Sequence, residues 1–157
     1  MDIIFKDFTE CDNDLVFDIL KWRNSEIVRK YSFNSNTISL EEHLKFINNL
    51  KSNKHHKYYV LQYDNHNLGV IHYKIQEDNK TVYLGYYKNP FLNSIRGGVG
   101  KILLSNSLQY AKDVLQLSII IMETMVENVI SQKCIIGQNF KQIEINNNII
   151  KYELILK

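Results

Sequence analysis

Three glycines and a lysine lie close together in the segment SIRGGVGKILL, residues 94–104. A nucleoside-triphosphate loop needs a glycine five residues before its Gly-Lys pair and a hydroxyl directly after the lysine. Those two positions hold Ile95 and Ile102, and the dinucleotide pattern G-x-G-x-x-G lacks its third glycine. Both nucleotide-loop interpretations are therefore excluded.

The same loop still has the features of an anion site. A β-rich run ends shortly before it and helical periodicity begins directly after it, so the glycines lie at a helix entrance. A helix N-terminus presents free backbone N–H groups and the positive end of the helix dipole. Gly98 and Gly100 would let a pyrophosphate approach the backbone, and Lys101 would add a positive charge. The alternative is a tight turn that binds nothing.

Two side chains in strand-like runs could move a proton. His72 lies in LGVIHYKIQ and Glu123 lies in LSIIIMETMV. Because histidine ordinarily titrates near neutral pH, we expect His72 to titrate in the range that is useful to a general base. The alternative is one polar side chain packed in a tyrosine-rich sheet. No histidine or cysteine spacing is typical of a metal site, so no metal is predicted.

The elements that must position these residues follow from periodicity and turn signals. A first strand near Ile3–Phe8 precedes two helices, and the second helix begins at the capping-box pair Ser39 and Glu42. Three short β-rich runs then indicate an antiparallel meander. After the glycine loop we expect a helix, a buried strand, a short helix with Asn128 as its N-cap, and a closing hairpin.

The predicted order is β–α–α–β–β–β–loop–α–β–α–β–β. The strands at 81–87 and 118–126 are joined by a parallel crossover that contains the glycine loop. The chain has 157 residues, 45% hydrophobic and 23% charged, which favours one α/β (α+β) domain over 1–157. A net charge of +2 is too small to predict nucleic acid or a membrane as a partner. The cysteine usage and the absence of a signal-peptide pattern predict a cytoplasmic protein.

This order of elements and its glycine loop resemble the GNAT superfamily of N-acetyltransferases. The loop pattern of that family is [QR]-x-x-G-x-[GA]. With Gly98 and Gly100 on the small positions, its first position falls on Ile95, and Arg96 is one residue out of register. The resemblance implies a mixed, mostly antiparallel, twisted sheet of about seven strands, with helices on both faces and a splayed parallel strand pair. It also implies acetyl-CoA (coenzyme A) as the cofactor.

Four longer blocks of the sequence are WRN at 22–24, ISLEEHLKFINNLK at 38–51, YLGYYKNPFL at 83–92 and ENVIS at 127–131. These blocks resemble one branch of the family. The resemblance implies acetylation of the 4-amino group of a UDP-linked 4-amino-4,6-dideoxy-N-acetyl sugar in pseudaminic acid biosynthesis, which serves flagellin glycosylation. We expect direct transfer in a ternary complex, because no activated nucleophile is evident in the sequence. The predicted partner is this small-molecule substrate, and the exposed tyrosines and closing hairpin are compatible with a homodimer.

The resemblance also implies roles for individual positions. The strand residues whose backbone would pair with the pantetheine arm are Leu84, Tyr86 and Tyr87. The other cofactor positions are Gly98, Val99, Gly100 and Lys101 at the pyrophosphate, with Asn128 and Ser131 in the last helix. The positions on the nucleotide-sugar side are Arg23, Tyr31, His43, Phe46, Tyr83 and Glu123. Either His72 or Glu123 would act as the general base.

One position departs from the family pattern. The family commonly has a tyrosine seven residues after Asn128, where it donates a proton to the leaving thiolate, and this chain has Ile135 there. Cys134 is adjacent, but one residue along a helix turns the side chain by about 100°. Because this proton donor is absent and Arg96 is out of register, coenzyme A binding without turnover stays open as an alternative function. The same fold acting on a protein N-terminus or another small amine is a second alternative.

Overall fold

The computed structural model describes residues 2–92 and 97–157, so Ile95 and Arg96 of the loop register lie outside the described residues. Within these ranges, seven strands form one sheet in the order β1-β2-β3-β4-β5-β7-β6. The strands are β1 Ile3–Asp7, β2 His56–Tyr63, β3 His66–Ile75, β4 Thr81–Lys88, β5 Ile119–Met125, β6 Lys141–Asn146 and β7 Ile149–Ile155. The predicted meander, crossover and closing hairpin are all confirmed.

The α-helices of the described ranges are α1 Asn13–Asn24, α2 Glu26–Lys30, α3 Leu40–Leu50, α4 Val99–Asp113 and α5 Val129–Gly137, and a short 3-10 helix spans Phe8–Glu10. The predicted caps are present, because Ser39 Oγ accepts from the backbone N–H of Glu42 at 3.1 Å and Asn128 Oδ1 accepts from that of Ser131 at 3.2 Å. The sequence analysis missed α2. That helix has five residues, fewer than two turns, so it shows too little periodicity to be recognised.

The two faces of the sheet carry separate cores, because side chains alternate between the faces along each strand. One face packs against α4 and α5, through Tyr59, Leu84, Leu103, Ile120 and Ile135 among others. The other face packs beneath α1 and α3, through Phe8, Val16, Ile19, Trp22, Ile47, Val60 and Val70. The predicted placement of helices on both faces of a mixed sheet is therefore confirmed.

The parallel pair β4–β5 diverges after its first residues. Thr81–Tyr83 pairs with Ile119–Ile121, and no pairing between the two strands continues beyond it. Past that point β4 stays hydrogen-bonded to β3 as far as Lys88, while β5 stays paired with β7 as far as Met125. This is the predicted splay, and beyond Tyr83 it leaves one side of the β4 backbone without a strand partner among the described residues.

None of the helices in the described ranges has both the length and the apolar composition needed to cross a bilayer.

Candidate active site

A cavity of about 1510 Å³ lies where β4 and β5 separate. It reaches from α1–α3 on one side of the sheet to the start of α4 and the face of α5 on the other. Every site residue predicted from the sequence lines this cavity, with the exception of Val99. The Val99 side chain is buried in the core, so only its backbone could contribute to a site.

The start of α4 has the geometry of an anion site. Gly98 is the N-cap in a left-handed conformation, with φ 71°, and it provides no side-chain cap to the helix. A Cβ built on Gly98 would meet no atom within 4 Å, so the conformation, and not crowding, favours glycine there. The first turn contains no acidic residue, and Lys101 lines the cavity beside it. Backbone N–H groups, the helix dipole and one cation therefore meet at this end of the cavity.

Tyr86 lies next to the first two turns of α5. A Cβ built on Gly100 would lie 3.8 Å from Tyr86 Oη and 3.9 Å from Cys134 Sγ, so the phenol and the thiol both lie beside the first turn of α4. Burial, and then the neighbouring Cys134, raise the pKa of the Tyr86 phenol well above its usual value, so it stays protonated. Ile135, by contrast, is completely buried in the core. The cavity wall at this point therefore consists of Cys134 and Tyr86, and not of the residue at 135.

Arg23 carries an unpaired donor inside the cavity lining. Its Nη2 donates to the backbone carbonyl of Asn34 at 2.7 Å, whereas its buried Nη1 has no hydrogen-bond partner among the described residues. Burial raises the pKa of both Tyr58 and Tyr87, and the charge of Arg23 acts against that shift at each. Arg23, Tyr58 and Tyr87 all line the cavity, so the guanidinium and the two phenols belong to the same wall.

The other residues predicted on the nucleotide-sugar side differ in their exposure and in the contacts that they already make. His43 is 5% exposed, and its Nε2–H donates to the Val16 carbonyl at 2.9 Å, which braces α3 against α1. Burial lowers the pKa of His43, so the ring is neutral. Phe46 is 38% exposed, and Tyr31 lies at the cavity wall beneath the Lys30 ammonium. Phe46 and Tyr31 are thus free to contact a ligand, whereas one ring nitrogen of His43 is already occupied.

The imidazole of His72 is held between two cross-strand neighbours. Its ring stacks on Tyr58 with centroids 5.1 Å apart and an interplanar angle of 16°, and it lies directly over Gly85. Burial, and secondarily the charge of His56, lower the pKa of His72 to about 4. The expectation that His72 titrates near neutral pH is therefore wrong, because the sequence could not reveal how far the ring is removed from water. His72 is neutral at pH 7 and can accept a proton.

The second candidate base, Glu123, belongs to a polar group with members on β4, β5, β6 and β7. Lys151 Nζ lies 3.4 Å from Tyr83 Oη, 5.6 Å from the centre of the Tyr83 ring and 3.7 Å from Glu144 Oε2. The hydrogen bond to Tyr83 and then the nearby carboxylates, Glu123 among them, raise the pKa of Lys151. Lys151 also pairs with Glu123 in the strand register. The sequence analysis missed both Lys151 and Tyr58, because each is connected to the site only through cross-strand pairing.

No group of three or more His, Cys, Asp or Glu side chains in the described ranges could hold a metal ion.

Comparisons with known proteins agree with this geometry. The model of the acetyltransferase (GNAT) family matches residues 8–137. Two curated proteins of Campylobacter jejuni, each named acetyltransferase PseH, are 32% and 31% identical to this chain, over 73% and 74% of it and 69% and 70% of their own lengths.

Solved structures show the same fold. The crystal structure of Campylobacter jejuni N-acetyltransferase PseH in complex with acetyl coenzyme A has a TM-score of 0.81 and 25% identity, covering 99% of each chain. A spermidine N-acetyltransferase from Vibrio cholerae, in complex with CoA and spermine, has a TM-score of 0.84 at 14% identity, covering 98% of this chain and 95% of that one. At that identity the second similarity concerns the fold alone.

Proposed function

The chain belongs to the acetyltransferase (GNAT) family, and we propose that it acetylates the 4-amino group of a UDP-linked 4-amino-4,6-dideoxy-N-acetyl sugar, a step in pseudaminic acid biosynthesis. The chain is an N-acetyltransferase, and acetyl-CoA is its cofactor. The sugar acceptor is the proposed part. It is supported by the four sequence blocks that resemble the nucleotide-sugar branch and by the similarity to the proteins named PseH.

The residues at the splay fit the cofactor. The backbone of β4 beyond Tyr83 has no β5 partner, so Leu84, Tyr86 and Tyr87 lie on a strand edge that can pair with an extended arm. The uncapped start of α4, with Lys101, fits the pyrophosphate, and Asn128 and Ser131 line the same side of the cavity. When bound, acetyl-CoA supplies the activated acetyl thioester.

The observation that carries the acceptor assignment is the unpaired Nη1 of Arg23. A buried guanidinium nitrogen without a partner is unfavourable, so a ligand that brings an anionic oxygen to it gains affinity. A UDP-linked sugar brings such oxygens in its diphosphate. The Phe46 ring, which is 38% exposed at the cavity wall, can pack against a flat or apolar part of the same ligand.

Proton removal from the sugar amine is assigned to His72, with Glu123 as the alternative. His72 is neutral at pH 7 and lies over the β4 backbone at the splay, whereas Glu123 lies beside a lysine. Because burial keeps the imidazole of His72 unprotonated at pH 7, a ring nitrogen is available to accept the proton of the sugar amine, which is itself much less basic than lysine. The transfer proposed is direct, between the two bound substrates. The predicted cytoplasmic location and the homodimer stay predictions.

The test is calorimetric titration with acetyl-CoA, followed by a thiol-release assay with three acceptors: the UDP-amino sugar, spermidine and an N-terminal peptide. We expect turnover with the nucleotide sugar only. Turnover with the peptide or the polyamine alone would overturn the acceptor assignment. Cofactor binding without turnover on any acceptor would identify a protein that has lost catalysis.

A pair of arginine variants tests whether the unpaired Nη1 of Arg23 binds the nucleotide sugar. Arg29 also donates to backbone carbonyls, those of Asn24 and Ser35, but it does not line the cavity. Arg23→Met is expected to raise the KM for the nucleotide sugar by about 10–100-fold, the range for a lost charged hydrogen bond, and Arg29→Met much less. Equal effects of the two variants would show that Arg23 acts only on loop structure.

A further inference from the structure

We infer that Tyr58 is a positioning residue that, together with Gly85, directs the imidazole of His72 toward the open edge of β4. This inference rests on the proposed function, because it assumes that His72 takes up the proton of the acceptor amine. Neither Tyr58 nor Gly85 was singled out by the sequence as part of the site.

The register of the sheet places these three residues in one row. Tyr58 on β2 is the direct partner of His72 on β3, and His72 is the direct partner of Gly85 on β4. Side chains of directly paired residues lie on the same face and contact one another. The row therefore runs across three strands, from the wall beneath α1 and α3 to the strand that splays away from β5.

Gly85 provides the space into which the ring leans. A Cβ built on Gly85 would lie 2.1 Å from Cε1 and 2.2 Å from Nε2 of His72, well inside contact distance, so any side chain there would displace the ring. The imidazole thus occupies the volume that a side chain of β4 would normally fill. Its Nε2 edge lies against the β4 backbone, two residues beyond the last one paired with β5.

Tyr58 closes the opposite side of the imidazole. The two rings are nearly parallel, at 16°, and Tyr58 is itself fixed by Phe46, edge-on at 4.9 Å, and by Phe8 at 5.3 Å. Both phenylalanines come from outside the meander, so the tyrosine ring is supported from behind. His72 therefore cannot rotate away from β4 without displacing an aromatic cluster.

Several titratable or charged groups line the cavity around this row and share its electrostatic environment. They are His56 on β2, Lys74 on β3, Tyr83 and Tyr87 on β4, Glu123 on β5 and Arg23 on α1. Removing the Tyr58 ring would admit water to the face of the His72 imidazole without changing any of these charges. Such a change would reduce the desolvation of His72 and leave the ring free to turn.

The experiment compares Tyr58→Leu with Tyr58→Phe, after the wild type and His72→Ala have been characterised. Tyr58→Leu is expected to lower kcat about tenfold, the scale of a modest misplacement of a reacting group, with the Kd for acetyl-CoA unchanged. Tyr58→Phe keeps the stacked ring and is expected to retain most of the turnover. In NMR titrations of the imidazole Cε1–H, Tyr58→Leu should move the His72 midpoint upward, toward an ordinary histidine value.

Tyr59→Leu is the matched control. Tyr59 is the next residue on β2 but belongs to the core on the other face, so its loss should lower stability and leave kcat and the His72 resonance in place. Gly85→Ala is a second, independent variant, expected to lower kcat as much as His72→Ala does while acetyl-CoA still binds.

The outcomes separate this inference from the proposed function. If the wild type shows no turnover of the nucleotide sugar, the proposed function fails. If it turns over and His72→Ala is fully active, the assignment of His72 as the base fails. If His72→Ala is impaired but Tyr58→Leu keeps its kcat and its His72 midpoint, the positioning role of Tyr58 is overturned.

Discussion

The two faces of the sheet at β4 differ in what lines the cavity, which is mainly backbone on one face and mainly side chains on the other. Leu84 and Tyr86 face α4 and α5, and with the start of α4 they form what we call the cofactor half. Gly85 and Tyr87 face α1 and α3, and with His72 they form the acceptor half. The cofactor half depends mainly on backbone: an unpaired strand edge and an uncapped helix start. The acceptor half depends on side chains that come from α1, α2, α3 and four strands.

This difference predicts how each half responds to substitution. Backbone geometry changes only where a residue alters the allowed conformation, so most substitutions in the cofactor half should be mild. Each side chain in the acceptor half has its own partner, so single substitutions there should be specific and larger. If the two halves respond independently, a substitution in one half should leave the affinity or the turnover that depends on the other half unchanged.

His72→Ala should affect the acceptor half only. We expect kcat to fall by about 10²–10³-fold, the usual contribution of a general base, while the Kd for acetyl-CoA measured by calorimetry stays unchanged. Because the pKa of His72 is lowered to about 4, the wild-type rate should stay high as the pH falls below 6.5. A weakened cofactor affinity with an unchanged kcat would show that the two halves are not separable.

The pH dependence of stability should report the desolvation of His72. Its pKa is about 6.5 when unfolded and about 4 when folded, so the unfolded chain binds more protons between these values. The contribution of neutral His72 to the free energy of unfolding is therefore fully present above pH 6.5 and is lost as the pH falls toward 4. In urea unfolding, the free energy of unfolding of the wild type should fall by about 2 kcal/mol more between pH 7.5 and pH 4.5 than that of His72→Gln.

The contrary result would be an equal loss in both proteins. It would mean that His72 is hydrated in the folded state. His43 and His56, whose pKa values are also lowered by burial, are present in both proteins and cancel in the comparison.

Gly98→Ala should affect the cofactor half only. A non-glycine residue in the left-handed conformation costs about 1–2 kcal/mol, so the ligand-free loop should relax and acetyl-CoA would have to restore it. We expect the Kd for acetyl-CoA to rise about five- to tenfold, with kcat at saturation retained. Asn147→Ala, also left-handed at φ 49° but in the distant β6–β7 turn, should lower stability without changing the Kd.

Lys151→Met should have the smallest effect. Its ion pair with Glu144 is exposed, so only the contact with Tyr83 Oη reaches the cavity wall. We expect the KM for the nucleotide sugar to rise about two- to threefold, with no change for acetyl-CoA. Lys141→Met on the exposed strand β6 is the control, and an equal effect of both variants would assign the change to net charge alone.

Local sequence signals predicted the elements and the position of the glycine loop, whereas no local signal connects the residues of the acceptor half. Gly98, Gly100 and Lys101 are contiguous, and their place between a strand and a helix follows from local periodicity. The caps at Ser39 and Asn128 are also local, since each side chain bonds a backbone group three residues away. The residues of the acceptor half, such as Arg23 and Phe46, were predicted only from the resemblance to a known family, because no sequence spacing connects them.

The order of elements, the parallel crossover and the glycine loop at a helix start could all be predicted from the amino-acid sequence. These depend mainly on interactions between residues that are close in the chain. The row of Tyr58, His72 and Gly85, and the contact of Lys151 with Tyr83, are visible only in the folded sheet. The desolvation of His72, which is contrary to expectation, is likewise a property of the fold. Strand register and burial arise from contacts between segments that are distant in the sequence. Those contacts determine both the orientation of a side chain and its pKa.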